Sequence, residues 1–267
     1  MSKSISHPVK AKKNLGQHFL NDLDAAQAIV NSLSAPVGCY NVLEIGPGTG
    51  VLSSFLFGKK EFNVKLIDID RESIAYLVKT YPEHSSAIIE GDFLRLKLDE
   101  VFNAQFCIIG NFPYNISTQI LFKVLENRSL VPEVVGMFQK EVAERIASGP
   151  GNRDYGILSV FMQAYYDVKL LFTLPEDAFT PPPKVKSAVL HFIRKENFEL
   201  GCDQALFYRV VKAAFNQRRK TMRNALSSLL PKDKMEGVPF LELRAETLHW
   251  SQYVTLTNIL ADKFNAG

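Results

Sequence analysis

From residue 41 onward, short continuous apolar runs alternate with stretches of about ten residues whose apolar positions recur every three or four. The runs Asn41–Ile45, 63–69, 87–90, 106–110 and 134–138 read as strands, and 51–57, 73–79, 117–125 and 139–147 read as the helices between them. A shorter helical stretch, 24–33, precedes the first strand. Strands that are apolar on both faces and separated by helices belong to a parallel sheet covered on both sides. The expected fold is therefore α/β, a Rossmann-like doubly wound and mostly parallel sheet.

Two later runs, 168–174 and 188–193, form an expected antiparallel edge. The stiff Thr180-Pro181-Pro182-Pro183 between them is too long for a tight turn. Beyond about residue 194 the strand pattern stops, and Leu206, Val210, Val211, Ala214 and Phe215 fall at helical spacing. The pattern thus divides the chain into a domain over 1–193 and a small helical domain over 194–267.

Composition narrows the class. The 267 residues are 46% hydrophobic and 22% charged, the profile of an ordinary globular protein large enough to bury a core without staples. No apolar run approaches the roughly 20 residues that a membrane-spanning helix needs. The lysine-bearing N-terminus has no apolar signal region, so a cytoplasmic address is expected, with Cys39, Cys107 and Cys202 reduced. The cysteines form no CxxC pair and the histidines no HxxxH pair, so no metal is expected.

The net charge of +3 says little, but its distribution says more. Lys3, Lys10, Lys12 and Lys13 stand in a leader without acids, and residues 184–223 carry ten basic against three acidic residues. Two such stretches on a balanced protein are the footprint expected for a polyanion, since neutralising phosphates releases counterions. Arg218, Arg219, Lys220 and Arg223 fall on an expected helix, with Arg219 and Arg223 one turn apart.

Chemistry concentrates at the ends of the expected strands. Glu44-Ile45-Gly46-Pro47-Gly48-Thr49-Gly50 is a glycine turn from strand to helix, spaced GxGxG rather than the GxGxxG of pyrophosphate loops. Gly46 and Gly48 allow a ligand close to the backbone, and Glu44 favours a cationic one. Asp68, about 20 residues on, is placed to accept both hydroxyls of a ribose, with Asp70 as its competitor on the same side of an extended chain. Gly91-Asp92 ends the third strand, where a carboxylate can accept from an adenine amine. Asn111-Phe112-Pro113-Tyr114 follows the fourth. There the amide oxygen of Asn111 and a carbonyl at or before Pro113 can accept both hydrogens of an exocyclic amine, and Tyr114 offers a face for a base.

The segments EIGPGTG (44–50), IIGNFPYNIST (108–118), FQKEVAERI (138–146), AFTPPPKVKSAV (178–189) and AFNQRRKTMRN (214–224) together resemble the small-subunit ribosomal RNA adenine dimethyltransferases, class I enzymes that use S-adenosylmethionine. The resemblance runs from about Lys12 to the C-terminus. It implies that the methyl donor lies against His18, Leu20, Gly46, Asp68, Asp92 and Asn111, with His18 standing where the family more often has Asn and Asp68 where it often has Glu. It further implies that an extruded adenine is held between Tyr114 and Phe179, with Phe112 shaping the space for a second methyl. Lys12 and Lys13 with Arg218, Arg219, Lys220 and Arg223 would then grip 16S rRNA in the small subunit or its precursor, the enzyme acting as a monomer. Two readings compete: a DNA or large-subunit rRNA adenine methyltransferase, and a mainly non-catalytic assembly factor, for which an intact EIGPGTG, Asp92 and NFPY would be superfluous.

Overall fold

The computed structural model describes residues 9–265. Its elements fall into two compact units, one ending at Ala143 and resuming over Lys169–Arg194, the other formed by Glu144–Val168 and the residues from Lys195 onward. The single cut expected at 193/194 leaves 144–168 with the first unit, whereas they group with the second. Those residues group with the later helices because they supply α7 (Ile157–Tyr165), whose Phe161 packs edge-on against Tyr208 at 4.4 Å.

The first unit begins with a two-residue strand β1 (Phe19–Leu20) and α1 (Leu23–Asn31), whose Asp22 caps the helix by accepting from the Ala25 N–H at 2.9 Å. Alternation follows, with only the short α4 unexpected: β2 (Asn41–Ile45), α2 (Val51–Gly58), β3 (Asn63–Asp68), α3 (Arg71–Thr80), β4 (Ile88–Glu90), α4 (Asp99–Phe102), β5 (Cys107–Asn111), α5 (Ser117–Glu126), β6 (Glu133–Gln139) and α6 (Lys140–Ala147). The strands β7 (Tyr166–Leu174), β8 (Phe179–Thr180) and β9 (Ser187–Arg194) complete the set.

Seven strands form one sheet in the order β4-β3-β2-β5-β6-β9-β7. The first five are parallel, and β9 runs antiparallel to β6 from Glu133↔Ile193 to Gln139↔Ser187. The two late runs are therefore neighbours in the sheet, joined by a connection that also contributes β8 to a small antiparallel pair with β1.

The apolar strands are apolar because both sheet faces are covered. Val42, Leu43, Ile108, Ile109, Val134 and Val135 are completely buried. At β6 the chain is also tied by a buried carboxylate, since Glu133 accepts from Ser34 N, Ser34 Oγ, Ala35 N and the His191 ring.

The order reverses direction at β2, with β3 on one side and β5 on the other. Such a switch point opens a crevice beyond the carboxyl ends of the two strands, where ligands of open α/β sheets bind.

Two glycines in the sheet let the segment after β5 turn into that crevice. A Cβ at Gly110 would stand 2.5 Å from the Ile45 carbonyl and 2.9 Å from the Phe112 ring, and one at Gly136 would press into the rings of both Phe112 and Phe138. Phe112 thus lies flat over bare backbone and packs edge-on to Phe138 at 5.3 Å.

In the second unit, α8 (Gln204–Asn216) is capped by Asp203, which accepts from the Leu206 N–H at 2.6 Å. It buries Leu206, Phe207, Val210, Val211 and Ala214. It is followed by α9 (Met222–Ala225) and α10 (Trp250–Asn265). The helix expected to carry Arg218, Arg219 and Lys220 is a turn between α8 and α9. There Thr221 bridges to Arg244, while Met222 N and Arg223 N donate to the carbonyls of Leu243 and Leu241, drawing the chain away from the axis of α8.

Overpacking at Gly136 tests the Phe112 seat. Gly136→Ala is expected to lower the unfolding free energy by about 1–3 kcal/mol in urea titrations; an unchanged midpoint would show that Phe112 is free to move.

Candidate active site

The crevice is a cleft of about 1150 Å³, counted out to open solvent. It is walled by the glycine turn after β2, the ends of β3 and β4, the segment Asn111–Ile116 and the leader residues Leu15–Leu20. Gly46 and Gly48 both hold left-handed backbone, with φ of 65° and 57°. Gly48 is required twice over, because a Cβ there would meet the Phe19 ring at 2.8 Å.

Four acids stand at or near the strand ends, and their surroundings give each a different character. Glu44 is 1% exposed and accepts from the Ser53 hydroxyl at 2.6 Å. Burial, with the nearby Asp68 charge adding to it, pushes its pKa up to about 8, so the carboxyl is largely protonated at neutral pH. Asp68 is 6% exposed. One of its oxygens accepts from the Asp70 N–H at 2.9 Å and the other from the Gly48 N–H at 3.2 Å. Each keeps a lone pair for a ligand hydroxyl, and burial raises the pKa despite these donors.

Asp70 is no competitor for that ribose position: it caps α3 and holds Lys12 and Gln17. Asp92 caps the short helical turn Phe93–Arg95, accepting from the Leu94 N–H at 2.9 Å, and remains partly open to the cleft.

Asn111 ends β5, and its amide orientation is decided by a neighbour. Nδ2 donates to the His18 backbone carbonyl at 2.7 Å. Oδ1 is thereby the end left to accept. The Pro113 carbonyl accepts from the Ile116 N–H at 3.1 Å, closing the turn into α5, and Pro113 itself lines the cleft. The Tyr114 hydroxyl lies 2.5 Å from the buried Ser187 Oγ, and burial raises its pKa. Its ring is stacked with the His18 imidazole at 5.5 Å between centroids, while His18 Nδ1 donates to the Pro181 carbonyl at 2.7 Å. Leu20 is buried along the cleft wall.

The expectation for Phe179 is corrected, and three of the basic residues expected to be free are paired. Phe179 is 2% exposed and belongs to the apolar core with Leu20 and Ala178, so it does not line the cleft. Its pairing with Leu20 across β1 and β8 puts the ring inside. Lys12 does not present a free ammonium, because it pairs with Asp70 at 2.5 Å and Glu72 at 3.1 Å. Arg223 is likewise paired, to Glu242 at 2.8 Å, and Arg218 reaches Glu246 at 3.7 Å and the Arg153 carbonyl.

Lys13, Arg219 and Lys220 are exposed. Lys3 lies outside the described residues. Sequence reasoning passed over Ile69, which stands 54% exposed on the cleft wall between the two aspartates. The signal was an apolar residue directly after the strand-ending acid, at a place where a turn would favour polarity.

The family described as ribosomal RNA adenine dimethylase matches residues 9–262. The chain belongs to this family. Among its relatives, Ribosomal RNA small subunit methyltransferase A of Cytophaga hutchinsonii is 53% identical, covering 96% of this chain and 99% of the relative. The protein of the same name from Flavobacterium johnsoniae is 52% identical over 93% and 95%. A dimethyladenosine transferase from Plasmodium falciparum superposes with a TM-score of 0.77 at 26% identity, over 92% of this chain and 98% of that one. The 23S rRNA methyltransferase ErmE, at 21% identity and a TM-score of 0.68 over 91% and 99%, shares the fold.

This rRNA adenine dimethylase uses S-adenosylmethionine, and the residues present fit that cofactor. Two carboxylates with spare lone pairs stand at successive strand ends, backbone bare of Cβ atoms lines the turn between them, and Ile69 offers an apolar face. No helix among the described residues is long and apolar enough to cross a membrane.

The Glu44 environment makes a pH prediction. Between pH 4.5 and about 8 the folded chain holds a proton at Glu44 that the unfolded chain has released, so raising the pH through that window lowers stability. Glu44→Gln, which keeps an acceptor for Ser53, is expected to gain in Tm relative to the unsubstituted chain as the pH rises across the window. Parallel Tm profiles would mean that Glu44 is ionised throughout.

Proposed function

We propose that this enzyme methylates the exocyclic N6 amines of two adjacent adenosines in the 3'-terminal hairpin loop of 16S rRNA, to dimethyladenosine, during assembly of the small ribosomal subunit. We place this work in the cytoplasm and assign it to a monomer acting on the subunit or its precursor. The names of the relatives that match over nearly the whole chain support the small-subunit target.

The observation that carries the chemistry is the Asn111 amide, whose donor end is occupied by the His18 carbonyl and whose acceptor end is free. S-adenosylmethionine, when bound, supplies a methyl group on a sulfonium already activated for in-line displacement. The protein's task is then to make an adenine amine nucleophilic and to aim it. The amine's lone pair is delocalised into the ring, and accepting its hydrogens at Asn111 Oδ1 and at a backbone carbonyl of Phe112 or Pro113 favours a pyramidal nitrogen. Orientation of this kind lowers barriers by several kcal/mol.

Tyr114, anchored through Ser187, is the stacking surface for the extruded base, and the His18 ring now beside it marks the space a base would take. Asp68 holds the ribose, Asp92 the adenine amine of the cofactor, and Gly46, Gly48 and Leu20 its contact surface. Glu44, neutral in a buried setting, becomes an anion when a cationic group approaches.

The first unit carries catalysis and the helical unit carries RNA binding. Each unit brings its own phosphate contacts: the exposed Lys13 on the first, and on the second the exposed Arg219 and Lys220, with Arg218 and Arg223 joining them by exchanging their carboxylate partners for phosphate.

The test is transfer from labelled S-adenosylmethionine to small subunits lacking the modification, beside naked 16S rRNA, 23S rRNA and duplex DNA. Dimethyladenosine is expected in the small-subunit particle alone and is lost in Asn111→Ala. Transfer to 23S rRNA or DNA, tight particle binding without transfer, or full activity in Asn111→Ala would overturn the reading.

A further inference from the structure

The leader's grip on the active site has a source outside the cleft. An N-cap aspartate ordinarily accepts from one backbone N–H of the first turn, and Asp22 and Asp203 do this with Ala25 and Leu206. Asp70 accepts from four groups. Oδ1 takes the Lys12 ammonium at 2.5 Å and the Glu72 N–H at 3.1 Å, while Oδ2 takes the Gln17 amide at 3.1 Å and the Ser73 hydroxyl at 3.2 Å.

Two of these donors come from more than fifty residues away. They are also tied to each other, because the Lys12 N–H donates to Gln17 Oε1 at 2.8 Å. Lys12 and Gln17 therefore form a closed loop seated on one carboxylate whose side chain is fully shielded from solvent. The Lys12 side chain stays a third exposed, so the ion pair is partly screened, and the shielded hydrogen bonds from Gln17 and Ser73 share in holding the segment. Burial would raise the Asp70 pKa, but the Lys12, Gln17 and Glu72 donors outweigh it and hold the carboxyl below its usual range.

The far end of the leader is fixed separately. Phe19 and Leu20 pair with Thr180 and Phe179, and Asn21 donates through its N–H to the Ala178 carbonyl at 2.8 Å and through its amide to Thr180 Oγ1 at 2.7 Å. His18 lies between the two anchors, and its carbonyl orients Asn111. The Asp70 N–H in turn donates to Asp68, so the turn that holds the leader also holds the acid of the ribose position.

We propose that Asp70 is a positioning residue for methyl transfer, acting through Lys12 and Gln17 to fix the leader so that the His18 carbonyl presents the Asn111 amide oxygen to the target amine. The assignment rests on the proposed role of Asn111. It gives Lys12 a duty other than gripping phosphate, and it makes the cofactor cleft and the catalytic amide depend on one carboxylate that touches neither ligand.

Asp70→Asn opens the clasp and keeps the cap, because its one oxygen can still accept from the Glu72 N–H, while the charge that holds Lys12 and the second oxygen that accepts from Gln17 are lost. With the full chain, the expected result is a kcat for small subunits reduced about tenfold or more, a dissociation constant for S-adenosylmethionine raised several-fold by calorimetry, and an almost unchanged Tm. Lys12→Met is expected to reproduce both losses, and the double variant to be little worse than either, since the two residues act as one unit.

A wild-type kcat and affinity in Asp70→Asn, losses that add in the double variant, or losses that follow a fall in Tm would overturn the proposal. Calorimetry needs no RNA. A chain that binds S-adenosylmethionine but methylates nothing would therefore fail the proposed function, while the affinity ratio still decides whether Asp70 holds the leader.

Discussion

A primary amide has one donor end and one acceptor end, and whichever end is occupied decides what the other can do. At Asn111 the donor end is taken by the His18 carbonyl. The oxygen is left facing a cleft built at the switch point of the sheet. Much of the surrounding structure serves that geometry. Gly110 and Gly136 give Phe112 a flat seat so that the chain can turn after β5, Gly48 lets Phe19 bring the leader over the glycine turn, and the β1–β8 pair holds the leader's far end.

The acids around the cleft differ by environment rather than by residue type. Glu44, Asp68 and Asp70 are all buried. Glu44 has one hydroxyl donor and is driven toward the neutral form, Asp68 has backbone donors that offset part of its burial, and Asp70 has an ammonium and is held ionised. The balance between desolvation and hydrogen bonding to the charged form produces this gradation over a few residues of chain. It separates a carboxyl held largely neutral, a carboxylate open to the cleft, and a carboxylate engaged inside the protein.

The central sheet was legible because strands buried on both faces are written as uninterrupted apolar runs, and the elements of the first unit from β2 to α6, apart from the unexpected short α4, fall within a residue or two of expectation. The cleft was legible for the same reason, since strand ends carry the chemistry of such sheets. What failed depended on contacts distant in sequence. The burial of Phe179 turns on a strand pair with Leu20 that no local pattern marks. The region around Arg219 has the composition of a helix, but the bridge from Thr221 to Arg244 bends it into a turn. The helix α7 escaped notice because Val160, Phe161, Met162, Ala164 and Tyr165 are all buried, so no polar face marks the period.

We propose that the leader, through the His18 carbonyl, fixes the Asn111 amide beside a cofactor held by Asp68 and Asp92. This is tested most directly by a high-resolution crystal structure of the chain with S-adenosylhomocysteine. The account predicts the ribose hydroxyls on Asp68, the adenine amine on Asp92, and Asn111 Nδ2 still on the His18 carbonyl with Oδ1 facing open space next to the sulfur. A ribose seated on Asp70, or an Asn111 amide turned so that its nitrogen faces that space, would contradict it.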